Sequence, residues 1–154
     1  MQIDLLNGYE GRSRSTDTRR FVNMYPELNS QSSKGIASLV STPGMSLFAS
    51  VAGVIRGVHV IGSKAYIVAA GTLWEINSLG TTTALGTIGT TSGHVSMADN
   101  GQQICIVDGQ SGYIFDIGAA TLTQITAAGF PNGALFVDFL DGFFVCEKPD
   151  TQQF

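Results

Sequence analysis

Short apolar runs separated by turn residues fill the chain from Arg56 onward. The first four runs read RGVHVI, KAYIVA, TLWEI and TTTALGTI, with Gly62-Ser63, Ala70-Gly71 and Asn77–Gly80 between them. Val, Ile, Thr and aromatic residues dominate the runs, and Gly, Asn and Ser dominate the gaps, which predicts β-strands joined by tight turns. Runs such as YIVAA do not alternate polar and apolar residues, which is typical of strands covered on both faces.

The same order of strands and turns begins again after Gly93. GHVSMA, QICIV, GYIFDI and TLTQI follow, with Asn100-Gly101 as a strong hairpin signal. ALFVDFL and FFVCE make a third start around a turn at Asp141-Gly142. Ala65–Ala69 aligns with Gln103–Val107 at an offset of 38 residues, and the third copy follows at about 39. Four short strands in about forty residues is the arithmetic of a β-propeller blade.

The sequence therefore predicts an all-β fold built from β-propeller-like repeats of four-stranded antiparallel blades. Residues 51–154 hold about two and a half blades: 56–88 is the first, 93–125 the second and 134–154 a partial third. A propeller needs about four to eight blades to close, so we expect the chain to continue in a longer protein or several copies to complete a ring. The alternative architecture is a sandwich or open barrel of about six to ten strands.

Residues 1–50 have a different character. They are rich in Ser, Asn and Arg, with only short apolar pieces and no helical period. We expect an extended arm with short strands at Gln2–Leu6, Arg20–Tyr25 and Ala37–Ser41, followed by a tight bend at Pro43-Gly44.

Composition points to a protein that is covered by partners. Charged residues make up only 13% of the chain and glycines number 19, whereas a soluble domain usually holds about 25% charged residues. Five of the eight basic residues precede position 35, and seven acids but no Lys or Arg lie between Lys64 and Lys148. A mildly basic leader thus precedes an acidic body. The leader is either a solvated loop or a contact for an acidic partner surface, and the net charge of −4 argues against a general nucleic-acid coat.

Few residues carry candidate chemistry. Cys105 and Cys146 lie in apolar runs, which predicts buried reduced thiols and no metal spacing. No basic segment followed by an apolar one opens the chain, and no run approaches about 18 apolar residues, so we expect neither a signal peptide nor a membrane anchor. His59 and His94 hold similar places in the first strand of two repeats, which favours packing over metal ligation. No catalytic motif is present, so we predict no enzyme, no cofactor and no metal site.

Other polar and aromatic residues fit structural roles. Four acids are predicted to lie in turns and to cap turn backbone with their side chains, and three of them stand directly beside Asn or Gly: Asp99, Asp108, Asp138 and Asp141. Trp74 and Tyr113 hold matching places in the third strand of two repeats, where large aromatics fill the wedge between blades.

Several pieces in fixed order resemble one known family. They are RRFVNMYPE, STPGM, IRGVHVIGSKAYIVAAGTLWEI, GHVSMADNGQQICIVDGQSGYIFD and VDFLDGFFVCEKPDTQQF. Together they resemble the N-terminal part of the packaged-DNA stabilisation proteins, or tail hubs, of short-tailed (podovirus-type) phages. The resemblance runs from about Phe21 to Phe154. Each piece alone is weak, and the ordered set is fairly specific.

The resemblance implies a structural virion protein of the phage tail, assembled in the host cytoplasm. Members look like propellers arranged as a homo-oligomeric ring, usually of about six copies. They lie below the portal and head-to-tail adaptor, retain packaged DNA until ejection, and anchor the tail needle and spike or fibre proteins. DNA would pass through the channel without specific binding. In this setting Arg19, Arg20, Phe21 and Tyr25 would contact the adaptor or a neighbouring subunit, or else form a strand that covers the edge of the first blade.

Two other functions stay open at this point. One is a β-propeller binding module for a glycan or peptide, with the ligand held by loop residues such as Trp74 or Asp108. The other is a fragment of a propeller hydrolase or lyase, which the small number of blades disfavours because such sites draw residues from many blades.

Overall fold

A computed structural model describes residues 23–28 and 37–152 of this chain. Every regular element in these residues is a β-strand, which confirms the prediction of an all-β fold. The chain divides into two compact units, residues 1–46 and residues 47–154. Each unit is described by itself below.

The first unit contains one antiparallel pair of strands, β1 (Met24–Leu28) and β2 (Ala37–Ser41), with Met24 opposite Ser41. β2 has the predicted bounds. β1 extends beyond the predicted end at Tyr25, because Pro26 does not stop it: both strands of a two-stranded sheet are edge strands, where proline is tolerated. The predicted strand Gln2–Leu6 and the start of Arg20–Tyr25 lie outside the described residues.

The second unit contains three antiparallel sheets. The bounds of their strands lie within a few residues of the predicted runs: β3 (Ile55–Ile61), β4 (Lys64–Ala69), β5 (Thr72–Ile76), β6 (Thr82–Thr87), β7 (Ser96–Asp99), β8 (Gln103–Val107), β9 (Gly112–Asp116), β10 (Thr121–Gln124), β11 (Val137–Leu140) and β12 (Phe143–Cys146). The first sheet has the order β3-β4-β5-β6, the second has the order β7-β8-β9-β10, and the third is the pair β11-β12.

The hairpin turns follow from local chemistry. Asp141 and Gly142 both have positive φ, 50° and 89°, as a type I′ turn requires. The earlier Asn-Gly signal is displaced by one residue: the Asn100 N–H donates to the Gln103 carbonyl, so Gly101 and Gln102 are the central pair. Asn100 lies outside that pair, and its side-chain oxygen accepts the backbone N–H groups of Gln102 and Gln103.

The sheets of the second unit pack face to face. Tyr66, Val68 and Leu73 of the first sheet form one core with residues of the second, and Cys105 and Val107 form the next core with residues of the third. The second-sheet residues in the first core are Ile104, Ile106, Tyr113 and Phe115, and Val95, the residue before β7, joins them. Successive residues of β8 therefore enter different cores, and both faces of this strand are covered. This explains the unbroken apolar run ICIV.

Between the first two sheets the structural repeat is 39 residues, and the offset of 38 predicted from the sequence is wrong. Tyr66 and Cys105 lie 39 positions apart and both face the following sheet. An offset of 38 would pair Ile67 with Cys105, but Ile67 packs on the opposite face of its sheet, against Ala49 and Val51. A shift of one residue turns every side chain of a strand to the other face, so facing is the stricter criterion for alignment.

The first strands of the three sheets lie side by side. The Val95 N–H donates to the Arg56 carbonyl at 3.3 Å, and the Val137 N–H donates to Ser96 Oγ at 3.3 Å. At the other edge, Gly86 of β6 lies close to Leu122 of β10. The described sheets thus stack in the manner of consecutive propeller blades.

Substitution of Gly112, which lies beside the core between the second and third sheets, provides a test of this packing. A Cβ on Gly112 would overlap the Phe130 ring, whereas one on Gly118 would meet only Asp116 Oδ1, at 3.5 Å. Because overpacking a core commonly costs about 1–3 kcal/mol, we expect Gly112→Ala to lower the free energy of unfolding by about that amount. Urea unfolding measures it, with Gly118→Ala as the matched control. Equal midpoints for the two variants would contradict this packing.

Candidate functional site

Arg56 is the centre of a polar network where the first sheet meets the second. Nε donates to the carbonyl of Gly93, one terminal nitrogen donates to the carbonyls of Ala70 and Thr90, and the other donates to Thr90 Oγ1 and the carbonyl of Ser92. The distances lie between 2.6 and 2.9 Å. These bonds use all five N–H groups of a guanidinium. Arg56 therefore fixes the linker between β6 and β7 against the start of the first sheet.

Thr90 carries this network on to the second sheet. Its hydroxyl accepts from Arg56 and donates to Asp108 Oδ2 at 2.8 Å. Asp108 Oδ1 accepts the N–H groups of Gln110 and Ser111. Asp108 is 4% exposed, so its carboxylate is satisfied by this turn and by Thr90 rather than by water. The sequence indicated the turn-capping role of Asp108, but nothing in it signalled Arg56 or Thr90 beyond the isolated arginine at the head of an apolar strand.

A second polar contact joins the first strands of the two sheets. His59 Nε2 lies 2.6 Å from Asp99 Oδ2. Asp99 Oδ1 also accepts the Gly101 N–H. The bond to His59, and more weakly the one to Gly101, hold the pKa of the Asp99 carboxyl below its usual value of 3.8.

His59 and His94 are not equivalent, contrary to the sequence prediction. His59 lies within β3, opposite Tyr66, whereas His94 precedes β7 and its ring lies 5.7 Å from the ring of Phe136. The two histidines occupy similar places in their apolar runs, but they are not at equivalent positions once the direction of each side chain relative to its sheet is taken into account. Asp138 also departs from the prediction, since it lies within β11 rather than in a turn. Its carboxylate accepts the N–H of the next residue, Phe139.

The two thiols lie together at the core between the second and third sheets. Burial is the main cause that raises the pKa of the Cys105 thiol to about 12, with a further contribution from Cys146, and burial also raises the pKa of Cys146. Both cysteines are free. They line a cavity of about 450 Å3 together with apolar residues including Ile114, Ile125 and Phe144.

Large apolar side chains remain exposed on the two outermost sheet faces. On the first sheet, Val60 is 62% exposed, and Val58 and Ile55 of the same strand are also exposed. On the third sheet, Leu140 is exposed and Phe143 is 74% exposed. These two faces, called here the leading face (first sheet) and the trailing face (third sheet), are the largest exposed apolar features of the strands in the second unit.

Trp74 and Tyr113 do hold matching positions, 39 residues apart. Tyr113 lies in the core between the first two sheets, and its hydroxyl accepts the Gly89 N–H at 2.8 Å. Trp74 packs on the opposite, leading face of the first sheet beside Ala49 and Val51. Its buried indole Nε1 has no hydrogen-bond partner among the described residues. The wedge-filling role predicted for Tyr113 is thus seen directly between two sheets.

Of the residues proposed to contact an adaptor or a neighbouring subunit, only Tyr25 is described, and it is exposed on β1. Arg19, Arg20 and Phe21 lie outside the described residues. Within 23–28 and 37–152, no three His, Cys, Asp or Glu side chains are placed to hold a metal ion. The same residues include no helix long and apolar enough to cross a membrane.

Neither a protein-family model nor a curated protein matches this chain. The resemblance to packaged-DNA stabilisation proteins therefore rests on the ordered motifs in the sequence. The geometry contributes a stack of sheets held by polar linkers, with two exposed apolar faces at its ends.

Removing the Thr90 hydroxyl tests the polar network. Thr90→Val would leave Asp108 Oδ2 and one Arg56 N–H without their partner, and an unsatisfied buried polar group costs about 1–3 kcal/mol. We expect the free energy of unfolding in urea to fall by that amount. Thr83→Val, at an exposed position on β6, is the matched control and should change it little. A neutral Thr90→Val would show that the network does not stabilise the fold.

The His59–Asp99 contact predicts a specific acid response. Because the folded-state pKa of Asp99 lies below 3.8, its stabilising contribution is present above that pH and is lost as the pH falls through the folded-state value. We expect Asp99→Asn to be less stable than the native chain at pH 7, with the gap closing below about pH 4. Urea midpoints between pH 7 and pH 2 measure this. In a protein that already carries His59→Gln, the loss of stability caused by Asp99→Asn should be smaller at pH 7. If acid does not change the difference in midpoint between Asp99→Asn and the native chain, the coupling between Asp99 ionisation and folding is refuted.

Proposed function

We propose that this chain is a structural subunit of a phage tail hub, which lies below the portal and adaptor, retains packaged DNA and anchors the distal tail parts. It acts as a homo-oligomer and performs no catalysis. The single observation that carries the proposal is the pair of exposed apolar faces at the two ends of the sheet stack. The sequence resemblance supplies the assembly to which such faces would belong.

The exposed faces support assembly because they have the chemistry of the faces that are already paired. In the core between the first two sheets, Val, Ile, Leu and aromatic side chains from one sheet meet the same kinds from the other. Val58 and Val60 on the leading face, and Leu140 and Phe143 on the trailing face, present the same kinds of side chain to solvent. Contiguous exposed apolar residues on a folded protein mark interaction sites.

The charge distribution supports passage of DNA rather than its capture. The described strands from β4 to β12 hold one basic residue, Lys64, against several acids. Lys64 is itself paired with Glu75 at 3.0 Å. A wall with few free cations releases few counterions from DNA and so binds it weakly. DNA sliding past such a wall during ejection would meet little electrostatic friction.

The alternative, a glycan- or peptide-binding propeller module, is not favoured by the two residues first considered for it. Asp108 is buried and its carboxylate oxygens accept from Thr90, Gln110 and Ser111. The Trp74 indole nitrogen is likewise buried. A ligand at Asp108 would have to displace bonds that hold the turn.

Self-association of the purified chain tests the proposal. We expect mass photometry to show one discrete oligomer with the mass of a closed ring. Its population should increase with protein concentration, because apolar burial drives the contact between faces. Phe143→Asp on the trailing face and Val60→Asp on the leading face should each shift the population to monomer by at least about tenfold, since a carboxylate buried in an interface is costly.

Leu79→Asp is the matched control. Leu79 is 87% exposed in the turn between β5 and β6, outside the strands that carry the exposed residues of both faces, and this variant should assemble like the native chain. A monomer at all concentrations, or equal loss of assembly in all three variants, would count against the hub. The specific role is tested by adding the oligomer to DNA-filled heads that carry portal and adaptor: nuclease-accessible DNA should fall with the native chain and not with Phe143→Asp.

A further inference from the structure

The outer edge of β12 is the starting point. In the two four-stranded sheets, the second strand is paired on both sides: β4 with β3 and β5, and β8 with β7 and β9. Within the described part of the chain, β12 is paired with β11 alone. One row of its backbone N–H and C=O groups therefore has no strand partner among the described residues, and such an edge is a template for strand addition.

A cavity lies beside this edge. Its volume is about 450 Å3, and it is lined by Ile114 of β9, Ile125 at the end of β10, Phe130 of the linker, and Phe144 and Cys146 of β12. Cys105 forms part of its wall. No residue of the lining carries a formal charge when the thiols are protonated, and the pKa of Cys105 is about 12. The cavity is thus suited to apolar side chains.

The paired sheets show what fills the corresponding space. β9 follows β8 in the second sheet and places Tyr113 and Phe115 on the first sheet, beside Leu73 and Tyr66. The rings of Tyr66 and Phe115 lie 5.7 Å apart. In the second sheet, the positions equivalent to Tyr66 and Leu73, 39 residues further along the chain, are Cys105 and Gly112. Cys105 lines the cavity, and Phe130, another lining residue, packs on Gly112.

We propose that the edge of β12 and the adjoining cavity form an acceptor site for an extended peptide segment that adds as an antiparallel strand. The segment carries two bulky apolar residues at alternate positions, as Tyr113 and Phe115 do in GYIFD, and these residues enter the cavity while the backbone pairs with β12. The occupant is a peptide strand of this pattern. The site goes beyond the proposed function, since it depends on the edge and the cavity and not on the assembly in which the chain works.

The alternation determines which peptides bind. A strand with apolar residues at positions i and i+2 can fill the cavity while its intervening side chain points away. Backbone pairing supplies affinity for any extended chain, and the cavity supplies selection by side chain. A charged residue at either inward position would be buried among Ile114, Ile125 and Phe144 without a partner, which is costly.

A peptide covering residues 111–118 (SGYIFDIG), with blocked ends and solubilising lysines outside them, is the probe. We expect saturable one-to-one binding to the purified chain by calorimetry. Hydrogen exchange should slow at Phe143–Glu147, and alkylation of Cys146 should slow in proportion to occupancy. The control peptide carries Tyr113→Ser and Phe115→Ser and should bind at least about tenfold more weakly.

A protein variant completes the test. Ile125→Asp places a carboxylate in the cavity wall, and we expect it to weaken the probe peptide at least about tenfold. Its urea midpoint checks that it folds, and Leu79→Asp should bind like the native chain. The site is refuted if no saturable binding occurs, if both peptides bind equally, or if exchange slows at another strand and not at β12. None of these readouts depends on oligomer size, so failure here is distinct from failure of the tail-hub proposal.

Discussion

The contact on which the stack depends is the fully used guanidinium of Arg56. It binds four backbone carbonyls and one hydroxyl, from Ala70 and from the linker between the first two sheets. A linker that runs from the last strand of one sheet to the first strand of the next cannot satisfy its carbonyls within either sheet. Arg56 supplies those donors from a single point, and its rigid planar fork fixes their directions. Lysine could not replace it, since an ammonium group has only three donors.

From Arg56 the polar contacts lead onward through the stack. Thr90 joins the guanidinium to Asp108, and the turn that Asp108 caps presents the Gly109 N–H to the carbonyl of Ala134, in the segment that leads into the third sheet. The apolar cores supply most of the energy, but burial is non-directional and tolerates many arrangements. The directional bonds of this relay select the one in which each sheet meets its neighbour in register.

The sequence was sufficient for the strands, the turns and the propeller-like repeat, because these depend on local preferences and on apolar runs. It was insufficient for the facing of residues: the letters favour an offset of 38, whereas Tyr66 and Cys105 require 39. The roles of Arg56 and Thr90 could not be predicted either, since their partners lie about 14 to 37 residues away and hydrogen bonds to backbone carbonyls leave no trace in residue type. The sequence likewise predicts equivalent roles for His59 and His94, because it shows the place of each residue in its apolar run but not the direction of its side chain.

The two-sided burial of β8 has a consequence for the order in which the molecule opens. Ile104 and Ile106 belong to one core, and Cys105 and Val107 to the other, so the second sheet packs against another sheet on both faces, while each neighbour packs against another sheet on one. In stacked repeat proteins, stability is shared between adjacent units. The outer sheets can therefore fray while the middle one stays folded, and the middle one cannot open until both have gone. The backbone of β8 would be the last in the second unit to exchange its amide hydrogens with solvent.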